Sequence, residues 1–307
     1  MANDHYVPQF YLKSFQAVTG KVWCYERVMP PRLKGVKSVA CTDEYYSIKA
    51  KHLAGDKRRI DNTIGQLESV SSPIYKKLLT GDRITLTQNE KRELSIFFAH
   101  LYSRTPLFRE TMKNLHLAAH KMMAKISAQN KEGFKWNMEQ AGVESTPEEL
   151  EELRQSILDI DNRFNLEFTE ESDDFFLKTE LEVVMEIVPF FYGKHWHIIK
   201  SSTSRVFATS DHPVVLLPPS EGYSPYWGLG LVNAIIALPL TPKRCLFMSD
   251  KPGKADVIEV SRESVNTVNQ FIFRHAHKQV FANMFSQEFQ TAFDKTTPGA
   301  NTKVAVS

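Results

Sequence analysis

The spacing of apolar residues divides the chain into four stretches. Runs rich in β-branched and aromatic residues predict short strands over about residues 21–48, and a helical repeat follows from about 57 to 188. Strand-like runs return between about 194 and 260, and helical spacing resumes over 261–285. This order predicts an α+β fold. We expect a mixed or antiparallel sheet built from N-terminal and C-terminal β segments, with a large helical insertion in the middle.

The same pattern suggests a domain organisation. We expect residues 1–56 and 189–296 to form the α+β core and residues 57–188 to form the helical insertion. Alternatively, each β-rich part belongs to a separate domain. We favour one core because the apolar N-terminal segment needs a partner beyond its own small sheet. The small, polar tail over 297–307 is expected to be disordered.

Two helix starts are marked by capping sequences. Thr87 is followed three residues later by Glu90, which is the pattern of a capping box. Thr146 and Pro147 precede a run of acidic residues, as expected for a helix cap, a first helical position and a favourable first turn. The second signal predicts an acidic, charged helix near 147–160, which could protrude, act as a lid or contact a protein partner.

Composition narrows the class of protein. The 307 residues include 38 basic and 36 acidic side chains, so the net charge of +2 gives no overall attraction to nucleic acid or membranes. None of the three cysteines belongs to a CxxC pair, and no secretory signal is apparent, so we expect a reducing, cytoplasmic location. The sequence contains no run of eighteen apolar residues, so it predicts no membrane-spanning helix. Modest basic clusters could contact nucleic acid, although solvated helix faces are the simpler explanation.

The first seventeen residues include a strongly apolar segment that we expect to be docked, because an exposed terminus of this kind would be a liability. Pro8 suits the first turn of a helix, and Tyr11, Leu12 and Phe15 would then share one face. His5 would lie just before this helix, where partial positive charge favours anions. This segment is therefore the first place to look for a substrate site.

A second candidate is Thr209-Ser210-Asp211-His212-Pro213-Val214, which follows a predicted strand and is closed by proline. These residues are ordinary turn formers, so a structural turn is the plain alternative. The functional hypothesis is that His5 and Asp211 meet in one cleft, with Gln9 facing the same way and His212 beside Asp211. Such groups suit general acid–base catalysis and could also bind a divalent metal such as zinc or manganese. In the alternative, His5 pairs within the fold and Gln9 bonds the backbone.

Other polar residues are candidates for substrate or metal binding. Glu68 and Arg104 lie on predicted helices that could approach the core, and Arg104 could bind an anion, although a buried salt bridge is the plainer account. Asn269 on the last predicted helix could reach the cleft or cap a loop. His195 and His197 would lie on one face of a predicted strand, which makes them a candidate metal pair, although an exposed strand face also explains them.

Three sequence blocks carry a resemblance to a family. His5-Tyr6-Val7-Pro8-Gln9-Phe10-Tyr11-Leu12-Lys13-Ser14-Phe15 resembles the opening signature of the mainly bacterial family catalogued as domain of unknown function 4238 (DUF4238). Residues 209–214 and Leu238-Pro239-Leu240-Thr241-Pro242 are similar to two shorter blocks in that family's second half. His212 stands where Asn is expected in relatives, so Asp211 is the stronger catalytic candidate. The resemblance implies a shared fold over about residues 5–285 and no established activity.

These observations lead to two functional hypotheses. The first is a cytosolic hydrolase, a nuclease-like phosphodiesterase with His5, Gln9 and Asp211 at its centre, because a helix N-terminus favours phosphate. A bacterial effector or defence toxin would fit that description. The second is a non-enzymatic module that binds a nucleotide, nucleic acid or peptide, with the acidic helix as its partner surface.

Overall fold

The structure is a computed structural model that describes residues 3–46, 59–169, 173–218, 229 and 234–296. These residues form two compact units. The first contains the described residues up to Arg109 and from Asp174 onward, and the second contains Glu110–Asp173. The tail over 297–307, which the sequence predicts to be disordered, lies outside the described residues.

The strands of the described chain form three sheets in the first unit. They are β1 Asn3–His5, β2 Lys21–Glu26, β3 Met29–Gly35, β4 Cys41–Asp43, β5 His195–Ser201, β6 Thr209–Ser210, β7 Val215–Leu217, β8 Ile235–Thr241, β9 Arg244–Ser249, β10 Val257–Val260 and β11 Gln279–Ala282.

One sheet joins the two ends of the chain. Its order is β3-β2-β11-β6 and all its pairs are antiparallel. A second sheet has the order β10-β5-β9-β8-β7, and only its β10–β5 pair is parallel. Strands β1 and β4 form a third, two-stranded antiparallel sheet. The predicted α+β fold, with mixed or antiparallel sheets drawn from both ends of the chain, is confirmed.

The helices connect these sheets and build the second unit. They are α1 Gln9–Leu12, α2 Arg59–Lys76, α3 Gln88–Ser103, α4 Pro106–Gln129, α5 Lys131–Gln140, α6 Pro147–Leu158, α7 Ile160–Arg163, α8 Asp173–Tyr192, α9 Arg262–His275 and α10 Gln287–Asp294.

Helices α2, α3 and α8 bury apolar side chains in the same core as the sheets. Tyr75 of α2, Phe97 of α3 and Phe191 of α8 lie in one buried cluster with Leu238 and Leu246 of the five-stranded sheet. The first unit therefore includes these helices. Its boundaries at 109 and 174 differ from the sequence-based ones at 57 and 188.

Two elements differ from the sequence pattern. The two prolines of Met29-Pro30-Pro31 are unfavourable inside a strand, but these residues begin β3, whose edge position tolerates proline. The pattern also continues the last helix to 285, whereas α9 ends at His275 and Gln279–Ala282 forms β11. Because β2 and β6 pair with both edges of β11, tertiary pairing decides its conformation, and local spacing does not reveal such pairing.

The capping signals are confirmed. Thr87 and Glu90 form a capping box at the start of α3, and Thr146 and Glu149 form another at the start of α6. Helix α6 is the predicted acidic helix, and Pro147 occupies its first position. Across the part of the chain that the structure describes, no helix has the length and apolar character needed to cross a bilayer.

Candidate functional site

The N-terminal apolar segment is docked through a single helical turn. Tyr11, Leu12 and Phe15 are fully buried, as expected from their spacing. Helix α1 has only four residues, so its dipole is too small to make its N-terminus an anion site. His5 lies on β1 instead, opposite Cys41 of β4. The expected phosphate contact at this helix therefore needs another source of positive charge.

The three signature blocks meet at the hydroxyl of Tyr11. That hydroxyl donates to the carbonyl of Pro239 over 2.7 Å. Thr209 Oγ1 lies 2.7 Å away on its other side. Because the single phenolic proton goes to Pro239, the Thr209 hydroxyl donates to Tyr11. The recurring residues of the resemblance thus form a buried junction between α1, β6 and β8.

Asp211 is fully buried and bonds to the backbone of one segment. Its Oδ1 accepts from the N–H of His277 over 2.8 Å, and its Oδ2 accepts from the N–H groups of Lys278 and Gln279 over 2.6 and 2.8 Å. Burial raises the pKa of Asp211, while these N–H groups and the charge of His277 act in the opposite direction. Both carboxylate oxygens therefore already have donors inside the fold.

Arg27 holds the same segment from its carbonyl side. Its guanidinium donates to the carbonyls of His277 over 2.9 Å and of Ala276 over 3.1 Å. The turn between α9 and β11 is thus fixed by a carboxylate and a guanidinium together. This accounts structurally for the position of Asp211 and leaves its catalytic role a proposal.

His212 is buried and neutral. Its Nδ1 lies 2.6 Å from the hydroxyl of Thr105. Burial first, and then the charges of His275 and His277, lower the pKa of His212 to about 3. Because Thr105 directly follows Arg104, this bond brings the second signature block next to that arginine.

The side-chain amide of Asn269 forms hydrogen bonds with the backbone of the segment before β6. Its Oδ1 accepts from the N–H of Ala208 and its Nδ2 donates to the carbonyl of Val206, both over 2.9 Å. The side chain therefore satisfies the backbone just before β6. No described contact connects it to the other predicted site residues.

Arg104 carries an unpaired hydrogen-bonding edge. The residue is 2% exposed, and its Nη1 donates to Glu68 Oε1 over 2.9 Å. Its Nε and Nη2 are buried and have no hydrogen-bond partner within the described part of the chain. Arg109 uses the same two nitrogens to bind both carboxylate oxygens of Glu180. We call this two-donor edge of Arg104 the Arg104 fork. None of the described residues accepts a hydrogen bond from it.

Two histidines connected with Arg104 also carry an unpaired ring nitrogen in the described chain. His5 Nε2 and His100 Nδ1 are buried without a hydrogen-bond partner among the described residues. Burial, and then the charge of Arg104, lower the pKa of His100 to about 3, so its imidazole is neutral. Tyr46 links the two ends of the group. Its hydroxyl donates to the carbonyl of His5 over 3.3 Å, and the charges of Arg104 and Glu68 act on its pKa. We name His5, Tyr46, Glu68, His100 and Arg104 the Arg104 cluster.

The predicted site residues are thus only partly brought together. Glu68 bonds Arg104, Tyr46 connects them to His5, and His212 bonds the residue after Arg104. Asp211 has an electrostatic effect on Tyr6, the residue after His5. Burial is the main cause of the raised pKa of Tyr6, and the charge of Asp211 is the second cause. Gln9 is half-buried at the first position of α1, and no hydrogen bond joins its amide to the described part of the chain.

Sequence reasoning missed His100 and Tyr46. His100 and Arg104 are four residues apart, so they lie on one face of α3, and this spacing could have indicated a shared polar face. Tyr46 gave no such signal, because its contacts with His5 and with the N-terminal Asp4 arise only from the pairing of β1 with β4.

The residues offer no preformed metal centre where the structure describes them. Within residues 3–46, 59–169, 173–218, 229 and 234–296, no three His, Cys, Asp or Glu side chains converge as metal ligands would. His195 is exposed on β5, while burial lowers the pKa of His197. The oxygens of Asp211 are held by backbone N–H groups, which makes this carboxylate a poor ligand for a divalent ion.

Comparison with known proteins gives a family and no closer relative. No curated protein and no solved structure matches the chain. Residues 3–285 match the family model described as "Protein of unknown function (DUF4238)". This match includes all three signature blocks and the whole Arg104 cluster. The chain therefore belongs to the DUF4238 family.

Proposed function

We propose that the chain binds a phosphate-bearing ligand at the Arg104 cluster and hydrolyses its phosphodiester there. The observation that carries this proposal is the buried Arg104 fork, whose Nε and Nη2 have no partner among the described residues. A buried guanidinium with unsatisfied donors is costly, and bidentate binding of an anion removes that cost. Glu68 fixes the guanidinium through Nη1, so the fork is oriented before a ligand arrives.

Phosphate suits this cluster better than a carboxylate does. A carboxylate has two oxygens, and the fork alone would occupy both. A phosphodiester presents further oxygens, which could meet the unpaired nitrogens of His5 and His100. Arginine is also the side chain most suited to planar, two-point recognition of phosphate.

His5 is the proposed proton-transfer group. Its imidazole can donate or accept a proton, and its Nε2 has no competing hydrogen bond among the described residues. In hydrolysis, water attacks phosphorus and gives up a proton to His5, the bond between phosphorus and the leaving oxygen breaks, and His5 passes that proton to the leaving oxygen. Gln9 remains a proposed ligand contact. Asp211 acts in this proposal by fixing the 276–279 segment. Nuclease-like action in bacterial defence is one form of this activity.

The position of Asp211 favours a second candidate function. A catalytic histidine is commonly oriented by a carboxylate, and the carboxylate oxygens of Asp211 already accept from three backbone N–H groups. Without such an orienting partner, the cluster would hold a phosphate-bearing ligand without cleaving it. The chain would then be a binding module for a nucleotide or nucleic acid, with α6 as a surface for a protein partner.

Two substitutions separate these functions. Arg104→Lys keeps the charge but removes the fork, so the Kd for inorganic phosphate should rise at least about tenfold. His5→Gln should keep phosphate binding and abolish release of nitrophenolate from bis(4-nitrophenyl) phosphate. Arg92→Lys, at an exposed position of the same helix, is the matched control and should change neither quantity.

Each result has a distinct meaning. Unchanged phosphate binding in Arg104→Lys, with the fold intact by circular dichroism, would remove the proposed site. Binding that depends on Arg104 without any hydrolysis by the unmodified chain would support the binding module. For nucleic acid, affinity that does not fall with added salt would argue against phosphate contacts.

A further inference from the structure

A second cleft opens at the other end of α3. It has a volume of about 460 Å³, within the usual range for small-molecule sites. Its walls come from the segment before α3, from the start of β5 and from the loop before β10. Lys91 and Arg104 are thirteen residues apart along α3, which at 1.5 Å per residue separates them by about 20 Å. The cleft is therefore distinct from the Arg104 cluster.

Lys91 is a cation without a carboxylate partner in the described chain. Its ammonium donates to the carbonyl of Lys194 over 2.9 Å and lies 5.5 Å from the ring centre of Trp196. Neighbouring lysines are paired differently: Lys194 binds Asp250 and Lys77 binds Glu90. Burial lowers the pKa of Lys91, as expected for an ammonium without a counter-charge. Its ammonium also lies 5.3 Å from the ring centre of Tyr192, and its other two N–H donors have no hydrogen-bond acceptor among the described residues.

Besides Lys91, the cleft lining has a second lysine, a histidine and one carboxylate. Lys254 and His195 are exposed at its rim. Asp256 also lines the cleft and opposes an anion, but its Oδ2 accepts from the N–H of Ile84 over 3.1 Å. The lining thus combines two lysines and a histidine with a single carboxylate that is already engaged.

The apolar wall is held in place before any ligand binds. The indole N–H of Trp196 donates to the carbonyl of Phe191 over 3.0 Å, and its ring packs 5.5 Å from that of Phe98. Ile84 and Leu86 extend this apolar surface. At Gly253 a side-chain carbon would lie only 3.0 Å from Cγ of His197, so the loop packs tightly against β5. A rigid apolar wall beside an ammonium that lacks a carboxylate partner in the described chain suits a ligand with both an apolar body and an anionic group.

We propose that this cleft binds a small organic anion, a phosphate or carboxylate carried on an apolar or aromatic body. The anionic group lies against Lys91, with Lys254 at the rim, and the body lies against Trp196, Ile84 and Leu86. This inference does not depend on the proposed hydrolase activity.

Titration of the full chain with phenyl phosphate, followed by tryptophan fluorescence, tests this site. Saturable quenching is expected, and Trp196→Phe should remove it. Lys91→Gln should weaken binding about tenfold, because a charge-assisted hydrogen bond is lost. Lys251→Gln removes an exposed charge from the same loop and should change the Kd less than about twofold. Inorganic phosphate and phenol, tested alone, should each bind more weakly than phenyl phosphate.

Three results would overturn the assignment. Equal effects of Lys91→Gln and Lys251→Gln would show that only the general charge matters. Quenching that is lost in Arg104→Lys would assign the ligand to the Arg104 cluster. Absence of saturable quenching would exclude the site. If Lys91→Gln fails to fold, Lys254→Gln at the exposed rim replaces it. This variant should weaken binding of phenyl phosphate about threefold, and an unchanged Kd would contradict the assignment.

Discussion

At the scale of single residues, the buried polar groups fall into those with internal partners and those without. Asp211, Asn269 and Thr209 all bond to groups of the fold. The Arg104 fork and His5 Nε2 lack such partners among the described residues. Because buried polar groups are nearly always satisfied, the proposed function assigns the Arg104 fork and His5 Nε2 to ligand binding and the first kind to stability.

Asp211→Asn tests the structural role of the carboxylate. An amide offers only one acceptor oxygen, so its NH₂ group would oppose a backbone N–H that now donates to Asp211. The free energy of unfolding should fall by roughly 2–4 kcal/mol in urea denaturation. The exposed Asp43→Asn serves as control and should change it by less than about 0.5 kcal/mol. A stable Asp211→Asn protein without hydrolytic activity would instead place Asp211 in the chemistry.

Two buried histidines predict a loss of stability in mild acid. Burial lowers the pKa of His100 and of His212 to about 3, whereas an unfolded chain titrates near about 6.5. The unfolded state therefore binds more protons between these values, and stability is full above about pH 6.5 and falls as the pH drops toward 3. Each histidine contributes roughly 1 kcal/mol per pH unit to this slope near pH 5.

Substitution isolates the contribution of one histidine. His212→Asn should reduce the pH dependence of the unfolding free energy between about pH 7 and pH 5 by roughly 2 kcal/mol. His120→Asn, at an exposed position of α4, should leave it unchanged. An unaltered slope in His212→Asn would mean that folding does not lower the pKa of this histidine.

At the scale of elements, the sequence indicated local features better than pairing. Capping residues fix the starts of α3 and α6 because the bonds they make are local. Strand β11 was not visible because its conformation depends on β2 and β6, which are far away in sequence. The junction of α1, β6 and β8 at Tyr11 likewise depends on residues about 200 positions apart.

A double-mutant cycle measures that junction. Tyr11→Phe leaves the carbonyl of Pro239 without its donor and should cost about 1–3 kcal/mol. The double variant Tyr11→Phe/Thr209→Val should lose less unfolding free energy than the sum of the two single variants, by at least about 0.5 kcal/mol in urea denaturation. The reason is that the two residues share a hydrogen bond. Tyr75→Phe loses a similar bond, to Leu240, but shares none with Thr209. Its coupling with Thr209→Val should be smaller, and equal coupling would contradict the shared bond.

At the scale of the whole molecule, strands β2 and β11 come from opposite ends of the chain and pair in one sheet. The apolar N-terminus predicted this, because it needed a distant partner. The position of the second unit's boundaries was not predictable, because helical periodicity does not reveal which helix faces enter the core of the sheets. For the candidate site, the sequence indicated Arg104 and Glu68 as candidate substrate-binding residues, without pairing them. It could not show that two donors of Arg104 have no partner among the residues that the structure describes.

The Arg104 fork is the central claim, and NMR of arginine Nε–H groups tests it most directly. Adding inorganic phosphate should move the Arg104 Nε–H resonance, identified by its loss in Arg104→Lys, to lower field in a saturable way, as expected when a strong hydrogen bond forms. The Arg109 resonance should stay in place, because its Nε already donates to Glu180. An Arg104 resonance that does not change at saturating phosphate would contradict the account.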